Sequence, residues 1–576
     1  MTATITGPEG TGNTPTDGET PLVRVEGLNV SFGGNGSSPI HVVKDVSFTV
    51  RRGQCVALVG ESGSGKSVTA RTLVGLSGEG ASVDARTLEF QGQNILDRSD
   101  SWWRAVRGSE IGFILQDALV SLDPLRPVGK EIAESFSLHG VGTRADRTQD
   151  VAEVLERVGV PEPEIRARQR PGELSGGLRQ RALIASAIAL NPSLVIADEP
   201  TTALDVTVQA QVLDVLQTMI EAGTTVILIS HDLAVVARMA DEILVMQGGQ
   251  IVERGPAEDV LGDPRHPYTR QLIDAVPSEH TKGVRLSSNT PPSRTAAALF
   301  GSRETLADAT TPLLEVRNVV KSYRGPDRVR RRVVDDVSFH LDQAETLGIV
   351  GESGSGKSTV ARIALSLVQP DSGSVLFRGQ AWSDAHRAAQ RAIRRRISVV
   401  YQDPLSSFDP RWNVSRVLSD AVRLGDPTQS TRVEDRVVEL LEMVGLSEHH
   451  VRSWPLRMSG GQRQRVAIAR ALATNPEVVV LDEAVSALDV SIQAQILDLL
   501  TDLQDQLNVS YLFISHDLGV IHHMSDRVLV MQNGRGVEQG DSDDVFNNPR
   551  HPYTQKLLES LPRLEYARLR KVTQRA

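Results

Sequence analysis

Two long stretches of the chain run through the same succession of apolar and polar positions. Each opens on an alternating segment, LVRVEGLNVSF from Leu22 and LLEVRNVVKSY from Leu313, whose period of two suits strands. Short apolar runs follow. CVALVG and TLGIVG each feed a glycine-rich loop; SLVIAD and TVILIS come later in the first stretch, EVVVLD and SYLFIS in the second. Runs this short and this apolar read as strands buried on both faces of a parallel sheet. Helical patterns such as QAQVLDVLQTMI alternate with them, so each stretch reads as an α/β domain with a mostly parallel sheet.

The two stretches are copies. GESGSGKS stands at Gly60–Ser67 and again at Gly351–Ser358, 291 residues on. SGG with a following RQR recurs at Ser175 and Ser459, an Asp-Glu pair at Asp198 and Asp482, ISHDL around His231 and His516, and HPYT at His266 and His551, at offsets of 284 or 285. Five landmarks in one order and nearly one spacing mark a duplicated domain. The expected division is a disordered tail over 1–20, a first domain over 21–277, a flexible Ser/Thr/Pro/Ala-rich linker over 278–311, and a second domain over 312–576.

Composition narrows the class. With 40% hydrophobic and 23% charged residues and a mean hydropathy of -0.18, the chain has the profile of a soluble globular protein. No apolar run approaches the roughly 18 residues of a spanning helix, and Met1–Thr20 has neither the basic start nor the apolar stretch of a secretory signal. A net charge of -10 gives no basic footprint for nucleic acid; the clusters Arg330–Arg332 and Arg394–Arg396 read as solvated faces. The single cysteine, Cys55, excludes an internal disulfide and any multi-cysteine metal site within the chain, and fits a reducing cytoplasm.

The chemistry concentrates in the repeated motifs. GxxxxGK[ST] after a strand is a phosphate loop: Gly60, Ser62, Gly63 and Gly65, and Gly351, Ser353, Gly354 and Gly356, let successive backbone N–H groups converge on phosphate oxygens. Lys66 or Lys357 would reach the terminal phosphates, and the Ser67 or Ser358 hydroxyl would ligate Mg²⁺. Only eight lysines stand against 54 arginines, yet both loops keep one. Asp198 and Asp482, ending apolar strands, suit Mg²⁺; Glu199 and Glu483 suit orienting and polarising the attacking water. His231 and His516, at matched spacing, suit a contact to the γ-phosphate, although a histidine there is often a packing residue. Gln116 and Gln402 suit a polar ligand to Mg²⁺ and water, with a surface glutamine as the plain alternative. Ser-Gly-Gly before a helix is a common cap that can also bind anions.

Taken together, these motifs resemble the ABC-type ATPases, a P-loop NTPase family in which SGG is the signature motif, and the resemblance covers nearly the whole chain outside tail and linker. It implies an antiparallel β subdomain and a helical subdomain beside each parallel sheet. It also implies an intramolecular head-to-tail pairing of the two nucleotide-binding domains, with each ATP between one domain's phosphate loop and the other's signature. One site would combine Lys66, Ser67, Gln116, Asp198, Glu199 and His231 with Ser459, Gly460, Gly461 and Gln462. The other would combine Lys357, Ser358, Gln402, Asp482, Glu483 and His516 with Ser175, Gly176 and Gly177. Phe32 and Tyr323 match the family's adenine-stacking aromatic, and Asp205 and Asp489 its D-loop. Leu178 stands where the second copy has Gln462, and Ala484 where the first has Pro200; neither removes a phosphate ligand or candidate base, so two hydrolytic sites are expected.

HPYT preceded by DPR or NPR, together with the QDxxxSxDP segments, resembles the dipeptide, oligopeptide and nickel importer branch in a fused arrangement. That resemblance implies two transmembrane permease subunits, an extracytoplasmic solute-binding protein, and a peripheral location on the cytoplasmic face of the membrane. The segments after Gln116 and Gln402, such as Asp117–Pro124, would form the coupling surface. Many members of the branch carry a cysteine cluster for an iron–sulfur centre after HPYT; with only Cys55, no iron–sulfur cluster is expected. Peptides, nickel chelates and glutathione-like compounds all remain open as cargo. The rival class, a soluble twin ATPase acting on ribosomes or DNA, usually has a charged helical linker or zinc-binding cysteines, and this sequence has neither.

Overall fold

A computed structural model describes residues 21–33, 39–115, 121–202, 204–277, 282–287, 311–324, 329–382, 387–425, 432–486 and 488–561. The tail over 1–20, residues 116–120 (Gln116 and the first half of the expected coupling segment 117–124), and the linker residues 278–281 and 288–310 lie outside the described residues.

The first half contains β1 (Val23–Phe32), β2 (Ile40–Val50), β3 (Cys55–Val59), β4 (Ala81–Asp84), β5 (Thr87–Phe90), β6 (Gln93–Asn94), β7 (Ile111–Ile114), β8 (Leu194–Asp198), β9 (Thr225–Ile229), β10 (Glu242–Gln247) and β11 (Gln250–Pro256). The second contains β12 (Leu314–Arg324), β13 (Arg330–Leu341), β14 (Thr346–Val350), β15 (Ser372–Phe377), β16 (Gln380–Ala381), β17 (Ile397–Val400), β18 (Val478–Asp482), β19 (Ser510–Ile514), β20 (Arg527–Gln532) and β21 (Arg535–Asp541).

Each half has one mainly parallel six-stranded sheet, ordered β11-β10-β3-β9-β8-β7 in the first and β21-β20-β14-β19-β18-β17 in the second; only β11 and β21 run antiparallel to their neighbours. A separate antiparallel sheet, β2-β1-β5-β6 with β4 also on β1, and β13-β12-β15-β16 in the second half, forms another layer. The central strands are apolar throughout because both faces are covered. In β3, Val56 and Leu58 pack with Leu28 and Val43 of the antiparallel layer, whereas Ala57 and Val59 pack with Leu216 and Val236 of the helical side. Between β7 and β8 the helices Val128–Leu138, Asp146–Arg157 and Gly176–Ile188 form a helical layer; Val414–Gly425, Val433–Met443 and Gly460–Leu472 are its counterparts. Among the described residues, no helix is long and apolar enough to cross a membrane.

The halves pack against each other. Val206 and Leu286 belong to the apolar cluster of the second half, and Val490 packs on that of the first. Residues 282–287, part of the stretch read as linker, are docked on the second half. Asp498 of the Val490–Leu507 helix, only 4% exposed, accepts hydrogen bonds from the Leu286 N–H (3.0 Å), the Ser287 N–H (2.8 Å) and the Ser287 hydroxyl (2.6 Å). Arg285 pairs with Asp502 at 2.8 Å and Lys282 with Asp526 at 2.5 Å. Asp498→Ala leaves two backbone donors without their charged acceptor, at a cost of about 1.5–3 kcal/mol. The measurement is limited trypsin digestion: cleavage at Lys282 and Arg285 should accelerate several-fold in the variant, and unchanged cleavage would show that the anchor lies elsewhere.

Candidate active site

The phosphate loops are shaped by close backbone approaches. Gly60 has φ 144°, and a Cβ there would lie 2.2 Å from the Met246 carbonyl oxygen; at Gly351 (φ 153°) it would lie 2.1 Å from that of Met531. Only glycine fits such a contact at such a φ. Gly65 and Gly356, both at φ 101°, turn the chain into the helices Lys66–Thr72 and Lys357–Ala364. Lys66 Nζ donates to the Gly60 and Glu61 carbonyls (2.6 and 2.8 Å), and Lys357 Nζ to those of Gly351 and Glu352 (2.7 and 2.9 Å). Burial pushes both ammonium pKa values down. Carboxylates oppose that shift, led at Lys66 by Asp489 of the other half and at Lys357 by Glu483 and then Asp205.

The strand ends β8 and β18 deliver the acids to these loops. The Ser67 hydroxyl donates to Asp198 Oδ1 (2.9 Å), and the Ser358 hydroxyl to Asp482 Oδ1 (3.2 Å). Burial raises the pKa of both aspartates. Asp198 Oδ2 is buried and accepts no hydrogen bond, with the Arg71 guanidinium 3.9 Å away. A serine hydroxyl beside a buried, under-satisfied carboxylate oxygen is a donor set that fits a hard divalent cation such as Mg²⁺.

The next residues, Glu199 and Glu483, both adopt φ 51°, a left-handed backbone uncommon for glutamate. The turn aims each carboxylate at a histidine: His231 Nδ1 lies 3.4 Å from Glu199 Oε1, and His516 Nδ1 lies 3.5 Å from Glu483 Oε2. Burial alone would raise each glutamate and lower each histidine, but the mutual contact wins, so the glutamates titrate low and the histidines high. Thr202 Oγ1 also donates to Glu199 (3.0 Å), and Gln402 Nε2 donates to Glu483 (2.8 Å). Gln402 thus joins its site, whereas Gln116 lies outside the described residues.

Ser175 and Ser459 cap the helices Gly176–Ile188 and Gly460–Leu472, accepting from the N–H of Leu178 and Gln462. Gln462 returns the bond by accepting from the Ser459 N–H (3.1 Å), which Leu178 cannot do. Ser175, Gly176, Ser459 and Gly460 are exposed; Gly177 and Gly461 face Val208 and Ile492. No hydrogen bond among the described residues joins either serine-glycine-glycine turn to a phosphate loop. Phe32 ends β1 beside Gly78, and Tyr323, half-exposed near the end of β12, has Lys321 over its ring at 5.8 Å.

Contacts between the halves reach both loops. The Ser353 N–H donates to Asp205 Oδ2 (3.2 Å), and the Asp489 carboxylate lies beside the Ser62 N–H, which favours its charged form against the burial that raises its pKa. Thr207 Oγ1 donates to Glu352 (2.7 Å) and Ser491 Oγ to Glu61 (2.5 Å). Sequence reasoning missed Glu61, Glu352, Thr207 and Ser491. It also missed that the HPYT tyrosines, Tyr268 and Tyr553, accept hydrogen bonds from the Glu61 and Glu352 N–H groups. The repetition of HPYT is the available signal, but in the sequence alone it marks only the family.

The ABC transporter family matches residues 43–202 and 334–486, more than half of the chain, and the oligopeptide/dipeptide transporter C-terminal region matches 252–301 and 537–576. The chain is 42% identical over 569 residues to the glutathione import ATP-binding protein GsiA of Escherichia coli (strain K12), covering 95% of this chain and 91% of that protein. It is 42% identical over 559 residues to GsiA of Salmonella typhimurium, covering 94% and 89%. Among solved structures, cbiO1 from Clostridium perfringens, part of the ABC transporter complex cbiONQ, aligns at 28% identity over 45% of this chain and 99% of its own, with a TM-score of 0.38. With two matched ABC transporter domains and 42% identity over 95% of its length to an import ATP-binding protein, the chain belongs to the ABC transporter ATP-binding proteins of the oligopeptide/dipeptide importer branch and hydrolyses ATP to power transport.

Proposed function

We propose that the chain drives uptake of a short peptide or a glutathione-like solute by closing its two halves on two ATP molecules, each held between one phosphate loop and the opposite signature turn. The observation that carries this reading is the reciprocal set of contacts, Asp205 to Ser353 with Thr207 to Glu352 and Asp489 to Ser62 with Ser491 to Glu61, by which each half reaches the other's loop. In each site the loop N–H groups and Lys66 or Lys357 bind the phosphates. Ser67 with Asp198, or Ser358 with Asp482, would hold Mg²⁺, which supplies charge neutralisation at the phosphate oxygens when bound. Glu199 or Glu483, kept ionised by its histidine, orients the attacking water and accepts its proton; His231 or His516 faces the γ-phosphate. Exposed N–H groups at the start of the Gly176–Ile188 and Gly460–Leu472 helices complete the anion site from the other half.

Two permease subunits, fed by an extracytoplasmic solute-binding protein, carry the solute, with this chain peripheral on their cytoplasmic side. The segments after Gln116 and Gln402 form the docking surface. In the second half, Arg470 of the Gly460–Leu472 helix donates to the Ser407 carbonyl (2.7 Å) and hydroxyl (3.0 Å) and stacks on Phe408 at 5.0 Å. A push on that segment therefore moves the signature helix, and closing and reopening the halves rocks the permeases. No iron–sulfur centre takes part. The solute class follows the relatives, named for glutathione import. The test is ATPase activity of the chain reconstituted with its permeases in liposomes. Binding protein loaded with glutathione or a short peptide should stimulate turnover several-fold over empty binding protein; equal turnover with all of them, or co-purification with ribosomes instead of permeases, overturns the reading.

A further inference from the structure

The repeated HPYT segments are built alike, and each ends on a phosphate loop. His266 caps the Pro267–Asp274 helix, its Nδ1 accepting from the Tyr268 N–H (3.2 Å), and its own N–H donates to Glu253 (3.0 Å). His551, Tyr553 and Glu538 repeat this at 3.2 and 3.1 Å. The capped helix holds a buried tyrosine, Tyr268 at 5% and Tyr553 at 8% exposure, with its hydroxyl under the loop. The Tyr268 hydroxyl accepts from the Glu61 N–H at 2.9 Å, and the Tyr553 hydroxyl from the Glu352 N–H at 3.1 Å.

Glu61 and Glu352 are junctions. The carbonyl of each receives the loop lysine (2.8 and 2.9 Å), and the carboxylate of each receives a hydroxyl from the opposite half, Ser491 or Thr207. The tyrosine is thus the own-half support of the one loop residue that touches both the lysine and the opposing domain. We infer that Tyr268 and Tyr553 are positioning residues for ATP turnover, each holding its phosphate loop, through Glu61 or Glu352, in the arrangement that receives the phosphates while the opposite half engages. Burial pushes both phenols up to about 12, so the hydroxyls stay neutral at working pH. Phenylalanine keeps the ring and its packing but leaves a loop N–H without its acceptor, so the loop no longer rests in its binding shape.

The inference rests on the reading of GESGSGKS as the phosphate cradle. The experiment is steady-state ATPase of the full chain carrying Tyr268→Phe with Tyr553→Phe, beside Lys66→Ala with Lys357→Ala and the unaltered protein, with nucleotide binding and thermal melting measured for each. The tyrosine variant should raise KM for ATP about five- to tenfold while kcat at saturating ATP stays within about twofold. A lowered melting point with KM unchanged would make the tyrosines packing residues only and overturn the inference. If the lysine variant loses nucleotide binding while the tyrosine variant keeps its KM, the tyrosine role fails and the cradle stands. If the lysine variant binds nucleotide normally, the cradle reading fails and the inference with it.

Discussion

Glu199→Gln combined with Glu483→Gln lowers ATP hydrolysis by about 10²- to 10⁴-fold while ATP binding persists. Glutamine keeps the length and packing of the side chain and can still accept from Thr202 at the first site, so the fold is spared. What it loses is the negative charge that both accepts the water's proton and holds the histidine at a raised pKa. Each single change alone cuts steady-state turnover by at least about half, because one of two sites stops. Steady-state ATPase measured on the purified chain checks this, and turnover left untouched by either single change contradicts two working sites.

The second large effect crosses the halves. Ser459→Arg removes a helix cap, a local cost of about 0.5–2 kcal/mol, and sets a cation across the exposed N–H groups that would meet the phosphates held by Lys66. Hydrolysis at the Lys66 site should stop although every side chain of the first half is intact. Pairing the variants identifies the partnership. Ser459→Arg with Glu199→Gln should be no worse than Glu199→Gln alone, since both strike one site. Ser459→Arg with Glu483→Gln should fall to the level of the double glutamine variant, since they strike different sites. The reverse pattern in ATPase rates would assign each signature to its own half's loop.

Much of this arrangement was legible in sequence, because the informative features are local. SLVIAD, TVILIS, EVVVLD and SYLFIS are strands Leu194–Asp198, Thr225–Ile229, Val478–Asp482 and Ser510–Ile514, each apolar on both faces as a covered parallel strand must be. The phosphate-loop glycines and the Ser-Asp pairs lie where GxxxxGKS and the strand-end acids put them. The antiparallel and helical layers came only from resemblance, since no spacing in the sequence says which strands pair.

What stayed hidden depends on contacts between residues distant in the chain. Ser491 and Glu61 are separated by 430 positions, and nothing about a serine in a helix announces a carboxylate from the other half. In the sequence Tyr268 is one letter of a family mark; only the fold puts its hydroxyl under the loop, 207 positions from Glu61. The linker's Ser/Pro-rich composition conceals an anchor, because one buried leucine, Leu286, the Asp498 carboxylate and the ion pairs of Arg285 and Lys282 are contacts with residues far along the chain. The left-handed backbone at Glu199 and Glu483 has no compositional sign either, as glycine would be the residue to expect there.

The most direct measurement of whether each ATP site draws on both halves uses the scarcity of cysteine. With the sole native cysteine, buried Cys55, replaced by alanine, Ser62→Cys is combined either with Ser459→Cys of the other half or with Ser175→Cys of its own half, on a Glu199→Gln background that retains ATP. A thiol cross-link forms only when the two Cα atoms come within about 7 Å, or within reach of a short bifunctional reagent. The account predicts a cross-link between positions 62 and 459 whose yield rises with ATP, read from the tryptic peptides by mass spectrometry, and none between 62 and 175. A cross-link to 175 instead, or no ATP-dependent link to 459, would contradict it.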